Sequence, residues 1–274
     1  MWFKKWIVGR QTYEEISLES GYSVSTLQRY FNVMLAKAPK LSYSQNNEVY
    51  LLIDATYFSQ EICLVVFRDD VLKQTQLYRI TDGEHYEELK EDLQNILNLG
   101  IKIGGITCDG DKSLLKAIKK ACPKVPMQRC LVHIQRMCKI WLSSHPKTRA
   151  GFELREIVCK LHFIDSEAKK QYWIKEILDW FVEHKEFINE KSYNEETGRY
   201  WYTHKMVRRS FSVIKKALPN MFTFLQNSKI PKTTNGLESF FGHLKGNLNI
   251  HRGLTKSRRK KFLQWYLFYK NQKK

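Results

Sequence analysis

The sequence lacks any apolar run long enough to cross a bilayer: the longest, Tyr50 to Ile53 and Ile62 to Phe67, are strand-length, which excludes a spanning helix. It lacks a dense cysteine framework as well. Six cysteines (Cys63, Cys108, Cys122, Cys130, Cys138, Cys159) are scattered over 274 residues, so a disulfide scaffold is excluded and a reducing cytoplasm suits them. The opening Met1 to Ile7 has its basic residues among the apolar ones and no small-residue cleavage site after them, so it does not read as a secretion signal. No internal repeat and no low-complexity tract is present. Acidic residues are in short supply, 28 Asp and Glu against 46 Lys and Arg, for a formal charge of +18. That excess raises the local concentration of polyanions. Without a Lys/Arg-flanked amphipathic helix it points to nucleic acid and away from a membrane surface. What the chain does have is hydrophobic side chains, 43% of its residues, enough to build the core of one large domain or two modest ones.

Residues 12–33 outline a helix-turn-helix. Thr12 and Glu15 fit a capping box, Gly21 ends the first helix, and Ser23 can cap a second. The second helix is expected to bury Val24, Leu27 and Phe31 and to present Ser25, Thr26, Gln28 and Arg29, residue types that bond phosphates or base edges in a major groove. A plain helical hairpin is the alternative. Beyond a polar linker the character changes: β-rich runs at 49–57, 61–68 and 74–80, a helix near 84–98, a strand at 101–108, a helix at 112–121 and a short strand at 125–130. This is the element order of an RNase H-like mixed α/β sheet, in which the first and fourth strands are parallel neighbours. From about 131 to 228 the pattern is helical and rich in Trp and Tyr, as in a helical insertion. The expected division is a helix-turn-helix region (1–37), a linker (38–47), the first part of the core (48–139), the insertion (140–230), and the last core helices with a basic C-terminal segment (231–274).

Asp54 falls near the end of an apolar run whose continuity suggests a strand buried on both faces. A carboxylate there is costly unless a cation, a metal or hydrogen-bond donors meet it. Asp109 repeats the situation at the end of the fourth strand, and the expected strand order sets it beside Asp54, as one half of a divalent metal site. Capping of the helix that starts near Lys112 is the alternative role for Asp109, one that Asp111 could equally take. Glu238 follows Asn235 by three positions, so a capping box competes with a catalytic role. Cys130 and His133 are two ligand types without a second pair, too few for a closed zinc site, and a structural or DNA-proximal role suits them better. Arg252, Lys256, Arg258, Arg259, Lys260 and Lys261 run beside Phe262, Trp265, Tyr266, Phe268 and Tyr269. The aromatic stripe is expected to pack on the core and the cations to meet DNA phosphate.

In order, Ile53-Asp54-Ala-Thr56, Thr107-Cys-Asp109-Gly110, Cys130-Leu-Val-His133, Thr234-Asn235-Gly-Leu-Glu238 and His251-Arg252-Gly253-Leu254 resemble the motifs of the Mutator-type transposase superfamily, in its bacterial insertion-sequence branch. The resemblance extends over roughly residues 10–270. It implies a DDE-type transposase that binds element ends and target DNA and carries out DNA strand cleavage and strand transfer as a homodimer or higher oligomer on DNA. A cytoplasmic, nucleoid-associated place in a bacterium goes with that reading. It further implies two Mg²⁺ ions, with Mn²⁺ able to substitute, held by Asp54, Asp109 and Glu238, Asp54 bridging them; hard carboxylates suit these ions better than zinc. Asn235, Cys130 and His133 are supporting motif residues. A nuclease without strand transfer and a domesticated DNA-binding regulator are the rival readings.

Overall fold

The computed structural model describes residues 1–42, 48–58 and 61–272; residues 43–47 of the expected linker lie outside them. The chain is mixed α/β. Its main sheet has five strands: β1 (Glu48–Tyr57), β2 (Cys63–Asp69), β3 (Gln74–Thr81), β4 (Lys102–Cys108) and β5 (Met127–Arg129), in the spatial order β3-β2-β1-β4-β5. β1 pairs antiparallel with β2, setting Asp54 opposite Val66, and β2 pairs antiparallel with β3 through a bulge at Phe67/Arg68. The continuous apolar run of β1 is buried on both faces from Val49 to Asp54, as a central strand requires. β2 begins at Cys63, two residues later than the pattern of Glu61 to Arg68 suggests, because Glu61 lies in the turn.

Two compact units make up the chain, residues 1–106, 111–125 and 235–274 in the first and 107–110 and 126–234 in the second. In the first, α4 (Tyr86–Asn98) and α5 (Lys112–Ala121) alternate with the strands. α4 is tied to β3 by the Arg79 guanidinium, which donates to both oxygens of buried Asp92 at 2.8 and 2.7 Å, the fork geometry that makes Arg–carboxylate pairs strong. The same unit holds α1 (Trp2–Val8), α2 (Tyr13–Ser20), α3 (Val24–Ala36), α10 (Asn235–Ile250) and α11 (Lys256–Asn271) around one aromatic core. Fully buried Trp6 is its hub, with the rings of Phe3, Tyr13, Phe31, His251 and Phe262 centred 4.6–5.9 Å away. The two ends of the chain therefore share a core, and α2–α3 is packed into it.

The local signals at α2 and α3 act as their chemistry dictates. Thr12 and Glu15 close a reciprocal capping box, Gly21 takes φ 76°, and Ser23 accepts the Thr26 N–H. Small Ser17 sits at the turn because its hydroxyl donates to the Tyr22 carbonyl at 2.6 Å. One expectation is corrected: Val24 is only half-buried, and the inward stripe of α3 is Leu27, Phe31 and Leu35. The stripe runs at i, i+4, i+8 and so lies one turn further along than the expected set. Gly21 has open space around it, so Gly21→Ala meets no clash and costs only the left-handed backbone. A loss of about 1 kcal/mol is expected, read as a small drop in thermal midpoint; an unchanged midpoint would contradict the conformation.

The second unit is helical, with α6 (Leu131–Leu142), α7 (Arg149–Cys159), α8 (Glu167–Asn189) and α9 (Lys205–Ala217) about an apolar core and a small hairpin, β6 (Lys191–Tyr193) with β7 (Tyr200–Tyr202). Its two buried tryptophans find acceptors for their N–H groups: Trp173 donates to the Ile157 carbonyl at 2.8 Å and Trp180 to that of Ala150 at 3.0 Å. Those bonds fix ring orientations that apolar packing alone leaves loose. Among the described residues no helix is long and apolar enough to cross a membrane.

Candidate active site

In the first unit Asp54 lies on β1 and is 9% exposed. Its Oδ1 accepts the N–H of Ala55 at 2.9 Å. Residues two apart share a strand face, so Leu52, Asp54 and Thr56 lie together. α10 packs on β1. A Cβ on Gly236, in the first turn of α10, would stand 3.5 Å from Leu52 Cδ1 and 3.2 Å from Asp70 Oδ1. Asp54 and Glu238 are thus carried by packed elements of one unit. α10 opens at Asn235 and carries Glu238 in its first turn.

A different buried carboxylate shows what a purely structural aspartate looks like here. Asp69, fully buried on β2, accepts from Tyr50 N at 3.0 Å, Val71 N at 3.3 Å and Leu72 N at 3.1 Å, and staples the β2–β3 turn. Neither Asp69 nor Asp70 stands out in the sequence, since a strand-ending Asp-Asp before a turn is an ordinary pattern. Asp70 pairs with Lys73 at 2.6 Å.

Asp109 lies in the second unit, just past β4. The capping role that competed for it belongs to Asp111, whose Oδ1 accepts from Ser113 N at 2.7 Å and Leu114 N at 3.0 Å. The backbone of Asp109 is held instead: Arg129, 7% exposed, donates from Nε and from its terminal nitrogen to the Asp109 carbonyl at 3.3 and 3.0 Å. Gly110, at φ 109°, leaves the room that the guanidinium occupies. Burial, reinforced by the Asp109 charge, pushes the Cys108 thiol up. Arg129 on β5 thus holds the backbone just past β4, a contact the sequence does not reveal because the partners are 20 residues apart.

Cys130 and His133 stand at the start of α6, where both meet Thr234. The Thr234 N–H and hydroxyl each approach the Cys130 sulfur at 3.3 Å, and the same hydroxyl lies 3.3 Å from His133 Nδ1. Burial works to raise the Cys130 thiol, but hydrogen bonds from His133 and Thr234 outweigh it and leave it below the ordinary value. The motif therefore ties the end of β5 and the start of α6 to Thr234, just ahead of α10. Among the described residues one group of three metal-type ligands clusters, Glu153, Glu183 and His184. Arg149 pairs with Glu153 at 2.6 Å and Glu183 at 2.7 Å, and His184 lies 2.7 Å from Glu153, so this group reads as an ion-pair network.

Of the residues expected to face DNA, Ser25, Gln28 and Arg29 are exposed on α3, while Thr26 is half-buried. The hydroxyls of Ser25 and Thr26 lie 3.0 and 2.9 Å from that of Ser23 and so belong partly to the cap. Gln28, Arg252 and Arg258 line one cleft of about 390 Å³ together with Asn32, Tyr13 and His251. Burial, against the pull of Arg258, pushes the Tyr13 phenol up to about 12, and burial pushes the His251 imidazole down, so both line the cleft uncharged at neutral pH. Arg252 also borders a second cleft with Tyr57, Lys245 and Arg259. Two cations of the C-terminal run have local duties: Lys256 pairs with Glu61 at 2.8 Å, and Arg259 donates to the carbonyls of Leu254 and Arg252 at 3.0 and 3.4 Å. The aromatic stripe packs inward at Phe262, Trp265 and Tyr266, as expected.

No curated protein matches the chain significantly. Among solved structures, one chain of the simian T-cell lymphotropic virus intasome in complex with PP2A regulatory subunit B56 gamma aligns with 76% of this chain and 74% of its own length, at 11% identity and a TM-score of 0.25, too slight a likeness to carry argument. A family model described as "Transposase, Mutator family" matches residues 68–186, a stretch that contains Asp109, Cys130 and His133. Over that stretch, 119 of 274 residues, the chain is similar to the Mutator family of transposases.

Proposed function

We propose that the chain binds the ends of a mobile element through α2–α3 and the C-terminal segment, and cleaves and joins DNA strands at Asp54, Asp109 and Glu238 within an RNase H-like core. The observation that carries this reading is a carboxylate buried on the central strand β1, on the face where the first turn of α10 packs, in a chain whose residues 68–186 match the Mutator transposase model. The donor set fits Mg²⁺ or Mn²⁺, since three carboxylates are hard ligands. Bound there, two such ions supply an activated water or 3′-hydroxyl and stabilise the leaving oxygen. The chain's own part is to hold the carboxylates in place, through Arg129 on the Asp109 backbone and through α10 on β1. A homodimer or larger assembly on DNA fits an activity that handles two element ends.

On this reading purified protein nicks a labelled duplex carrying the element's terminal sequence in Mg²⁺ or Mn²⁺ and joins the new 3′ end to target DNA. Cleavage that proceeds in chelator would sink the metal site, and cleavage without joining would leave a nuclease. Exposed Arg29 reads the end sequence or its phosphates, so Arg29→Ala should weaken end binding by about 1–3 kcal/mol. The check is a gel shift at fixed salt, and unchanged affinity would count against α3 as the recognition helix.

A further inference from the structure

The second unit segregates its charge. On α8, Lys169 pairs with Asp165 at 2.7 Å, Lys170 with Glu167 at 3.0 Å and Lys175 with Asp179 at 3.3 Å. Helix α9 is the opposite case, with five cations (Lys205, Arg208, Arg209, Lys215, Lys216) and no acidic residue in its thirteen positions. None of the five makes an ion pair among the described residues. At 100° per residue Lys205, Arg209 and Lys216 fall on one stripe, Arg208 and Lys215 beside it, and the stripe spans roughly 16 Å. Lys205, Arg209, Lys215 and Lys216 are exposed, while Ser210, Ile214 and Ala217 face the core. Both arginines are braced on aromatic faces: Arg209 lies 4.2 Å from the Trp141 ring of α6, and Arg208 lies 3.7 Å from the Tyr202 ring and donates to the Ile188 carbonyl and to Asn189. An unpaired row of like charges destabilises its own helix, and stacking holds a guanidinium ready at low entropic cost. Both features favour a polyanion over isolated small anions.

We infer that α9 is a further DNA-backbone contact surface, separate from α3 and the C-terminal segment, which takes duplex phosphates without reading sequence. The inference rests on the DNA-acting reading above. Duplex DNA is the occupant that the charge matches, since a row of unpaired cations over about 16 Å meets one phosphate charge per ~1.7 Å of helix axis.

The test measures binding of the full chain to a duplex of unrelated sequence over a series of salt concentrations. Three proteins are compared with wild type: K205Q/R209Q/K216Q, the charge-matched α8 control K169Q/K170Q/K175Q, and K205R/K216R, which keeps the charge. The slope of log affinity against log salt should become shallower by about 2 to 3 in the α9 triple, at roughly 0.9 for each phosphate no longer neutralised. It should stay at the wild-type value in the other two. Equal slopes for the α9 and α8 triples, whether both wild-type or both shallower, overturn the inference and leave the proposed function standing. So does an α9 triple that loses binding only to anionic lipid vesicles, which would make the face a membrane contact. Wild-type protein that binds no duplex at all overturns both.

Discussion

Asp54→Asn should lower strand cleavage by roughly three orders of magnitude or more, the scale seen when a group that acts as a unit with its partners is lost, while DNA binding stays within a few-fold of wild type. The amide keeps the shape of a side chain 9% exposed on β1, so packing against α10 is preserved. It removes the charge, and with it the hard ligand that the proposed ions require. Binding should survive because the cations proposed to meet phosphate sit elsewhere, on α3, α9 and the C-terminal segment. Nicking and gel shift on the same labelled duplex give both numbers. Cleavage near the wild-type rate in the Asn variant would remove Asp54 from the chemistry. Equal loss of binding and cleavage would point to a folding defect, which a melting curve identifies.

Gly110→Ala should also lower cleavage, less severely and for a different reason. At φ 109° an L side chain is strained by about 1–3 kcal/mol, and the added Cβ would stand 1.8, 2.0 and 2.4 Å from three atoms of the Arg129 guanidinium. The guanidinium must move, and its bonds to the Asp109 carbonyl, 3.3 and 3.0 Å, go with it. A displacement of about 1 Å at a catalytic group costs on the order of 10²-fold in rate. Cleavage is therefore expected to fall about 10²-fold, with a drop in thermal midpoint. Adding Arg129→Ala to relieve the clash should recover part of the midpoint without restoring the rate. A single variant within threefold of wild-type cleavage would show that the position of Asp109 does not depend on this guanidinium.

The sequence disclosed what local patterns encode. β1 is readable to within a residue because six consecutive buried positions leave no other assignment, and α5 is readable at both ends because Asp111 caps it and its apolar residues repeat at helical spacing. The Thr12–Glu15 box and Gly21 are equally local. α1 goes unread despite the i, i+3, i+4 spacing of Phe3, Trp6 and Ile7, since seven residues give too little periodicity to separate from a frayed end. Arg129 on the Asp109 carbonyl and Thr234 on Cys130 join residues 20 and 104 apart, and no short-range pattern specifies such pairs. The cations of α9 are dispersed among apolar residues and look weaker on paper than the run at 256–261. Among the described residues none of them makes an ion pair, whereas Lys256 of the run pairs with Glu61 and Arg259 is held by backbone carbonyls.

The central claim is that Asp54, Asp109 and Glu238 hold the same divalent ions. Iron-directed cleavage of the protein tests it most directly: Fe²⁺ replaces Mg²⁺ on the DNA-bound chain, ascorbate and peroxide generate hydroxyl radicals at the metal, and mass spectrometry locates the backbone cuts. The account predicts three clusters of cuts, near residues 54, 109 and 238, suppressed together by excess Mg²⁺ and by Asp54→Asn. Cuts concentrated at Glu153, Glu183 and His184, with none at the three carboxylates, would contradict it.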